Sequence, residues 1–242
     1  MFIRKRFVGA VGSRRLILKA VGVAATAAVI CIGCGNPAGN DGGDKGKSGG
    51  GGDPNPTNTP SGSTFTDSRD SKTYKKVTIG SQTWMGENLN YNAAGSKCYG
   101  EGGEVEVYDE ATGSWDLKTL TTAEVQANCA KYGRLYDWET AMNGSSSSSS
   151  VPSGVRGVCP SGWHLPSEVE WYVLDGNVGG WDVGTKLKSS TGWNSSEYAP
   201  AGTDDFGFSA LPGGDGNSDG NFNDAGYNGD WWSATESNAN YA

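Results

Sequence analysis

The chain has 242 residues, of which 39 are glycine, 9 tryptophan and 10 tyrosine, and only 35% of positions are hydrophobic. This composition favours a loop-rich domain with large aromatic anchors over a helical bundle. All six basic residues before Cys34 lie in an N-terminal stretch that has no acidic side chain. Subtracting those six from 19 leaves 13 basic residues against 27 acidic ones, a formal charge of −14. A polypeptide this acidic is repelled by phosphate backbones, so we expect no nucleic-acid partner.

The first 33 residues have the pattern of a signal peptide. Residues 1–19 carry the positive charges, and residues 20–32 form a short apolar run. A membrane-spanning helix needs about 20 apolar residues, so this run is the length of a signal-peptide core instead. The segment from Ser13 to Lys19, with its Arg14-Arg15 pair, resembles the twin-arginine export signal. An ordinary positive region with two adjacent arginines is the alternative.

The boundary at Gly33-Cys34 resembles the lipobox of bacterial lipoproteins, in which the cysteine is acylated and becomes the new N-terminus. Cys31 stands where this motif usually has leucine. The alternative is cleavage elsewhere, which would give a free secreted protein. Residues 34–64 consist almost wholly of Gly, Asn, Asp, Ser, Thr and Pro. Such a segment buries too little apolar surface to offset its conformational entropy, so we expect a disordered tether. The sequence thus predicts a lipid-anchored protein of the bacterial cell envelope, at the outer membrane or cell surface.

Order is expected from about Phe65. Residues 74–80 and 82–85 read as two strands joined by a turn at Gly80-Ser81. Residues 122–131 read as a helix with Thr121 or Thr122 as its cap and Gly133 as its stop.

A second helix is predicted after Ser167, because Ser167 and Glu170 have the spacing of a capping box. This helix would bury Trp171 and Leu174 and end near Gly176. A short helix is predicted over residues 183–188. The serine run at residues 145–150 reads as a spacer inside a surface loop.

Five motifs resemble the Fibrobacter succinogenes major paralogous domain, in the order that this family has them. They are Val77–Tyr91, Tyr132–Trp138, Val158–Ser167, Gly202–Gly214 and Trp231–Glu236. The resemblance runs from about Asp70 to the last residue and defines a domain over residues 65–242. It implies surface-exposed, often lipid-anchored proteins of fibre-degrading and related bacteria, and it does not imply a molecular activity.

The resemblance also carries expectations about the cysteines. It implies a Cys98–Cys129 disulfide, whose 31-residue separation reflects an inserted segment. The family continues to a closing Gly-Phe-Ser-Val-Arg-Cys, so we expect that a C-terminal portion is missing here. Cys159 would then be unpaired for want of the terminal cysteine; the alternative is a naturally free, buried thiol.

Residues 165–171, followed later by Trp231-Trp232-Ser233, also resemble C-type-lectin-like folds. This resemblance implies an α+β, loop-rich domain with short antiparallel sheets and two or three short helices. A shared fold does not by itself confer a function.

No catalytic residue and no cofactor are predicted. His164, the one histidine, lies among apolar neighbours, where a structural role is commoner than catalysis or metal binding. Two pairs of carboxylates, Asp204-Asp205 and Glu168/Glu170, lie close together in the sequence. A glycosidase, however, needs two acids on opposite sides of a cleft. We interpret the first pair as a turn and Glu170 as a member of the capping box.

Residues 215–220 match the first half of a calcium loop, with Asp215, Asn217 and Asp219 as alternating oxygen donors. Position 12 of that loop would be Gly226, and ordinary turn chemistry explains the same residues. The stretch is therefore only a weak calcium candidate, and we predict no metal site.

Most of the tryptophans are expected in the core, because the domain has few Leu and Ile to fill it. Trp115 and Trp193 stand in loop-like surroundings and are the candidates for stacking on a sugar ring. We interpret the chain as a non-catalytic binding or adhesion module for a polysaccharide or a surface-protein partner. A secreted polysaccharide-acting enzyme and a purely structural surface module are the alternatives.

Overall fold

The computed structural model describes residues 2–8, 19–21, 26–33, 63–109, 111–180, 184–194 and 200–236. The strands are β1 (Phe2–Val8), β2 (Lys19–Val21), β3 (Ala27–Ala28), β4 (Ile32–Gly33), β5 (Thr64–Thr66), β6 (Thr73–Ile79), β7 (Gln82–Met85), β8 (Glu104–Asp109), β9 (Ser114–Thr119), β10 (Leu135–Tyr136), β11 (Trp163–His164), β12 (Gly213–Gly216), β13 (Phe222–Ala225) and β14 (Asn228–Glu236). The helices are α1 (Thr122–Tyr132), α2 (Trp138–Met142), α3 (Glu168–Asn177) and α4 (Gly184–Leu187).

Within the described ranges these strands form two sheets. The larger has the order β10-β3-β14-β12-β13-β8-β9, and β1 pairs with both β14 and β2. The smaller has the order β11-β4-β7-β6-β5. Most strand pairs are antiparallel, but β14 runs parallel to β3 and β12, and β13 runs parallel to β8. The domain is therefore α+β and rich in sheet.

The elements predicted from local patterns are present. Strands β6 and β7 form the expected hairpin, and Gly80 takes the positive φ of 60° that its turn needs. Helix α1 begins after a capping box at Thr121 and ends at Gly133. Helix α3 begins after the predicted capping box of Ser167 and Glu170. Helix α4 lies inside the predicted short helix, whose first residue is outside the described residues.

Aromatic side chains fill the core, as the scarcity of Leu and Ile predicts. The rings of Trp84 and Trp171 lie 4.8 Å apart, and Phe208 meets Trp84 edge-on at 5.7 Å. Trp231 and Trp232 of strand β14 are also buried. These four tryptophans and Trp163, which is 8% exposed, confirm the expectation that the motif tryptophans are structural.

Residues 26–33 lie inside the domain, although the sequence assigns them to a removable leader. Strand β3 joins the larger sheet and strand β4 joins the smaller one. Residues 27–31 are between 0% and 2% exposed. In the chain as translated, the end of the predicted signal peptide is thus a core strand. Strands β1 to β5 all begin before residue 65, where the sequence predicts the domain to start.

The cysteines agree with one expectation and correct another. Cys98 is bonded to Cys129, the pair that the resemblance implies. Cys159, predicted to be unpaired, is instead bonded to Cys31. The prediction is wrong because it assigned Cys31 to the leader alone. In the fold, residues 26–33 place Cys31 opposite Cys159, with 6.0 Å between their Cα atoms.

The predicted lipidation site, Cys34, and most of the predicted linker lie outside the described residues, as do residues 237–242. None of the helices within the described ranges is long and apolar enough to cross a membrane.

Glu170 holds the start of helix α3 in place, and its replacement tests this fold. Its Oε2 accepts hydrogen bonds from the backbone N–H groups of Ser153 and Ser167, and its Oε1 lies 2.8 Å from His164 Nε2. The Glu170→Ala change leaves those two buried N–H groups without their acceptor. We expect the free energy of unfolding to fall by about 3–5 kcal/mol.

Glu168→Ala is the matched control in the same helical turn. Glu168 is only partly buried and accepts a hydrogen bond from the Tyr172 hydroxyl, so the expected loss is below about 1 kcal/mol. Urea unfolding of the two variants measures the difference. Equal destabilisation by both changes would contradict the role given to Glu170.

Candidate functional site

The candidate site is the hairpin formed by strands β8 and β9, at one edge of the larger sheet. Tyr108 pairs directly with Trp115, and Glu106 pairs with Leu117. Because side chains alternate along a strand, these four residues share one face of the hairpin. Val105 points to the opposite face and is buried, so it fixes the hairpin to the domain.

The shared face exposes large apolar side chains. Tyr108 is 47% exposed, Trp115 51% and Leu117 54%. The rings of Tyr108 and Trp115 lie 5.3 Å apart with their planes at 56°. Tyr227, in the turn between β13 and β14, meets Trp115 edge-on at 5.9 Å. We call Tyr108, Trp115 and Tyr227 the aromatic cluster. Most exposed large hydrophobic side chains of the described residues lie on this hairpin, which makes it the leading candidate for a binding surface.

The turn of the hairpin is held by Asp109. Its backbone oxygen accepts from the Gly113 N–H at 2.8 Å, and its carboxylate accepts from the Ala111 N–H at 2.8 Å. The hydrogen bond from Ala111 lowers the pKa of the Asp109 carboxyl, with help from Thr112. Gly113 supplies a φ of 70°, which a residue with a side chain rarely adopts. These local contacts set the register that pairs Tyr108 with Trp115.

An ion pair joins the hairpin to helix α1. The Lys118 Nζ donates to the Glu124 carboxylate at 2.7 Å, next to the capping box of the helix. The hydrogen bond from Lys118, together with those from Thr121, lowers the pKa of Glu124 to about 2. Strand β9 is therefore tied to a helix at its end, although its own side chains are exposed.

The surroundings of the aromatic cluster are acidic. The two strands carry Glu104, Glu106, Asp109 and Asp116, and their one cation, Lys118, is ion-paired. Such a surface repels polyanions and does not repel neutral ligands. Apolar rings in an acidic setting therefore suit a neutral polymer or a basic or apolar protein segment.

Of the two tryptophans predicted to be exposed, the structure exposes only one. Trp115 is half exposed, as expected. Trp193 is 7% exposed, and its indole N–H donates to the Ala210 backbone oxygen at 2.9 Å. The Lys188 Nζ covers its ring at 4.5 Å. The loop-like sequence around Trp193 was misleading, because the loop folds back on the core; Trp193 is not a stacking residue.

The calcium candidate is a hairpin turn. Asp215 lies in strand β12, and the chain reverses over residues 217–221 before β13 begins. The Asp219 carboxylate accepts from the Asn221 N–H at 2.9 Å, and the Asn217 N–H donates to the Asn221 backbone oxygen at 2.8 Å. Throughout the described part of the chain, no group of three or more His, Cys, Asp or Glu side chains is placed to hold a metal ion.

The remaining candidates for chemistry have structural roles. His164 is buried and bonded to Glu170. The Asp204 carboxylate accepts from the N–H and the hydroxyl of Ser209, at 2.7 and 2.6 Å, which is the turn predicted for that pair.

Sequence reasoning missed Tyr108 and Tyr227. It treated the hairpin as an inserted segment between Cys98 and Cys129. The signal was present: residues 104–109 and 114–119 each alternate in polarity around an Ala-Thr-Gly turn, which is a hairpin pattern. No local pattern places Tyr227 against Trp115, since that contact joins distant parts of the chain.

Comparison with known proteins gives one match. The family model described as the Fibrobacter succinogenes major domain matches residues 77–242. No curated protein and no solved structure matches the chain.

Trp193 is buried and Trp115 is half exposed, so replacement by alanine should affect the stability of the domain differently at the two positions. We expect Trp193→Ala to lower the free energy of unfolding by about 3–5 kcal/mol, because it opens a core cavity and removes one of the two hydrogen bonds to the Ala210 oxygen, whose other donor is the Ser189 N–H. Trp115→Ala removes a half-exposed side chain and is expected to cost less than about 1 kcal/mol. Thermal and urea unfolding measure both. A large loss in Trp115→Ala would contradict the assignment of this residue to a binding surface.

Proposed function

We propose that this chain, which belongs to the Fibrobacter succinogenes major domain family, is a lipoprotein of the cell envelope. In this proposal its domain binds neutral polysaccharide outside the cell. In this proposal the domain acts by binding and not by catalysis. We further propose a C-type-lectin-like arrangement for it, supported by the capped helix α3 and by the Trp231-Trp232-Ser233 strand packed against it. The exposed aromatic cluster is the observation that carries the binding proposal.

The aromatic cluster has the chemistry of a sugar-binding surface. The flat face of an indole or phenol ring matches the apolar face of a pyranose, and the acidic surroundings disfavour a polyanionic ligand. The planes of Tyr108 and Trp115 differ by 56°, so the two rings do not lie on one flat surface. A single, twisted polysaccharide chain meets both rings better than the flat face of a crystalline polymer does. We therefore propose a soluble or amorphous polysaccharide as the ligand.

The proposed anchor is lipid on Cys34. The small Gly33 precedes it, and the polar, glycine-rich residues 35–62 supply a tether between membrane and domain. Each buried methylene of an acyl chain contributes about 0.8 kcal/mol, so two or three chains hold the protein stably.

A surface-protein partner is the second candidate, favoured by strand β9. This strand ends the order of the larger sheet, and all six of its residues are exposed. Its outer backbone groups are available to pair with a strand of another protein, which is a common mode of peptide recognition. The same aromatic cluster would then contact the side chains of the added strand.

The binding proposal is tested by retention of the full chain on polysaccharides. Xylan and amorphous cellulose should retain the protein. Crystalline cellulose and polygalacturonate should retain less of it. Since stacking is largely insensitive to charge, retention should persist near 1 M salt, where the Debye length is about 3 Å. Trp115→Ala and Tyr108→Ala should each weaken binding by about 2- to 10-fold, the loss of one ring contact.

The matched control is Asp116→Ala, which lies between Trp115 and Leu117 but on the opposite face of strand β9. It should bind like the unaltered protein. If no polysaccharide retains the protein, a surface-protein partner becomes the leading candidate. If both ring variants bind normally, the binding surface lies elsewhere on the domain.

The anchor is tested separately. On export, the mature protein should begin at Cys34 and carry acyl chains, and it should fractionate with membranes. Cys34→Ser should release it into the soluble fraction. Mass spectrometry of the N-terminal peptide decides the matter: an unmodified Cys34, or a different N-terminus, rejects the lipid anchor.

A further inference from the structure

A cavity of about 710 Å³ lies at the base of the β8–β9 hairpin, and we call it the base cavity. Three parts of the chain line it: the loop of residues 98–103, the ends of the two strands at Glu104 and Thr119, and the start of helix α1. Sites for small molecules in proteins have volumes of about 300–1,000 Å³. The base cavity therefore has the size of a ligand site, and it lies outside the aromatic cluster.

The loop that lines the base cavity is held in place by Arg134. The guanidinium of this residue donates to Oε2 of Glu101 at 3.2 Å, and the Cys98 N–H donates to the same oxygen at 2.7 Å. The disulfide from Cys98 to Cys129 ties the loop to helix α1. A wall that is fixed before a ligand arrives loses little conformational entropy on binding.

Two glycines of the same loop bring its backbone against neighbouring elements. A Cβ atom at Gly100 would lie 2.7 Å from Cδ1 of Leu120, which follows strand β9. A Cβ atom at Gly103 would collide with the backbone oxygen of Gly220, in the turn between β12 and β13. Close packing on both sides makes the base cavity a defined feature of the fold.

The lining of the base cavity combines polar and apolar groups. Glu101, Glu104 and Gln126 supply carboxylate and amide groups, and Leu120 and Val125 supply apolar surface. A sugar ring has hydroxyls around its edge and an apolar face, so it uses both kinds of contact. The lining therefore suits a single sugar unit.

The charges in the lining select against acidic sugars. Two carboxylates, Glu101 and Glu104, line the base cavity together with one cation, Arg134. The cation is paired with Glu101 at 3.2 Å. A negatively charged ligand would be placed beside like charge, which is costly, whereas a neutral sugar meets no such penalty.

The base cavity and the aromatic cluster lie along the same hairpin. Glu104 and Thr119 pair at the cavity, and Tyr108 and Trp115 pair four residues further along the strands. Side chains alternate, so these two pairs and the exposed Leu117 between them project from one face. At a rise of about 3.3 Å per residue, the two sites are about 13 Å apart. A short oligosaccharide is long enough to reach both.

We propose that the base cavity is a second subsite of the polysaccharide-binding surface and holds the neutral sugar unit at the end of the polysaccharide chain. This inference rests on the proposed function, in which the aromatic cluster stacks on units further along the same chain. The end unit is the one that fits, because three parts of the protein bound the cavity and leave the chain to continue along the hairpin.

The first test is isothermal titration of the full-length protein with cellohexaose. Gln126→Leu keeps the size of the side chain but removes its amide, and we expect binding to weaken by about 5- to 10-fold through the loss of hydrogen bonds to sugar hydroxyls. Ala127→Leu is the matched control, because Ala127 is exposed in the same helix and does not line the base cavity. This control should bind like the unaltered protein.

The second test uses charge to locate the end of the chain. A cellohexaose that carries a carboxylate on both end units should bind at least about tenfold more weakly than neutral cellohexaose at low salt, because like charges meet in the base cavity. Glu104→Gln should reduce that difference to less than about threefold. Equal binding of the neutral and the acidic hexaose by the unaltered protein would overturn the proposal, since the end unit would then lie elsewhere.

The tryptophan variant separates failure of the base cavity from failure of the proposed function. If Trp115→Ala weakens cellohexaose binding and Gln126→Leu does not, the aromatic cluster stands and the base cavity is overturned. If only Gln126→Leu weakens binding, the base cavity is supported and the role of the aromatic cluster is rejected. Retention on amorphous cellulose without binding of cellohexaose overturns the base cavity alone, and binding of neither overturns both.

Discussion

The fold depends on burying indole rings whose N–H groups must each find an acceptor. Among the described residues, six tryptophans have such a partner, and most of the acceptors lie far away in the chain. Trp231 donates to the Asn88 side chain and Trp232 to the Tyr136 backbone oxygen, both at 2.7 Å, while Trp138 donates to the Ser233 oxygen at 3.1 Å. A buried N–H without an acceptor is costly, so these bonds fix strand β14 against the elements around it. In this glycine-rich chain, the tryptophan rings fill the core, and their hydrogen bonds fix how the elements around it are aligned.

The need of a buried indole N–H for an acceptor also separates the proposed binding surface from the core. Trp193 has an acceptor and a cation over its ring, and it is buried. Trp115 is half exposed on the edge hairpin and packs against the rings of Tyr108 and Tyr227. An exposed indole beside two tyrosines does not add to the core. Its placement on a hairpin held by local hydrogen bonds and by the Lys118–Glu124 ion pair suits recognition of a ligand from outside.

Residues 26–33 place a second demand on the chain, because the structure makes a core strand of the segment that the sequence predicts as the end of a signal peptide. An apolar run before a lipobox is suited to export, and an apolar run with a cysteine is suited to the space between the two sheets. Both depend on the same chemistry, burial of small and branched apolar side chains, in a membrane or in a core. Folding pairs Gly33 with Thr83 in the smaller sheet, so the predicted cleavage point follows directly after a paired strand in the folded chain.

The sequence by itself determined the features that depend on neighbouring residues: the β6–β7 hairpin, the N-terminal cap of helix α1, the capping box of helix α3, and the turns at Asp204 and Asp219. It also carried the family motifs and, with them, the Cys98–Cys129 pair. Only the tertiary structure decided which loop tryptophan is buried, what Cys159 bonds to, and that Tyr227 joins Trp115. Those outcomes depend on contacts between residues far apart in the chain, and local patterns of polarity and turn residues contain no information about which distant segments meet.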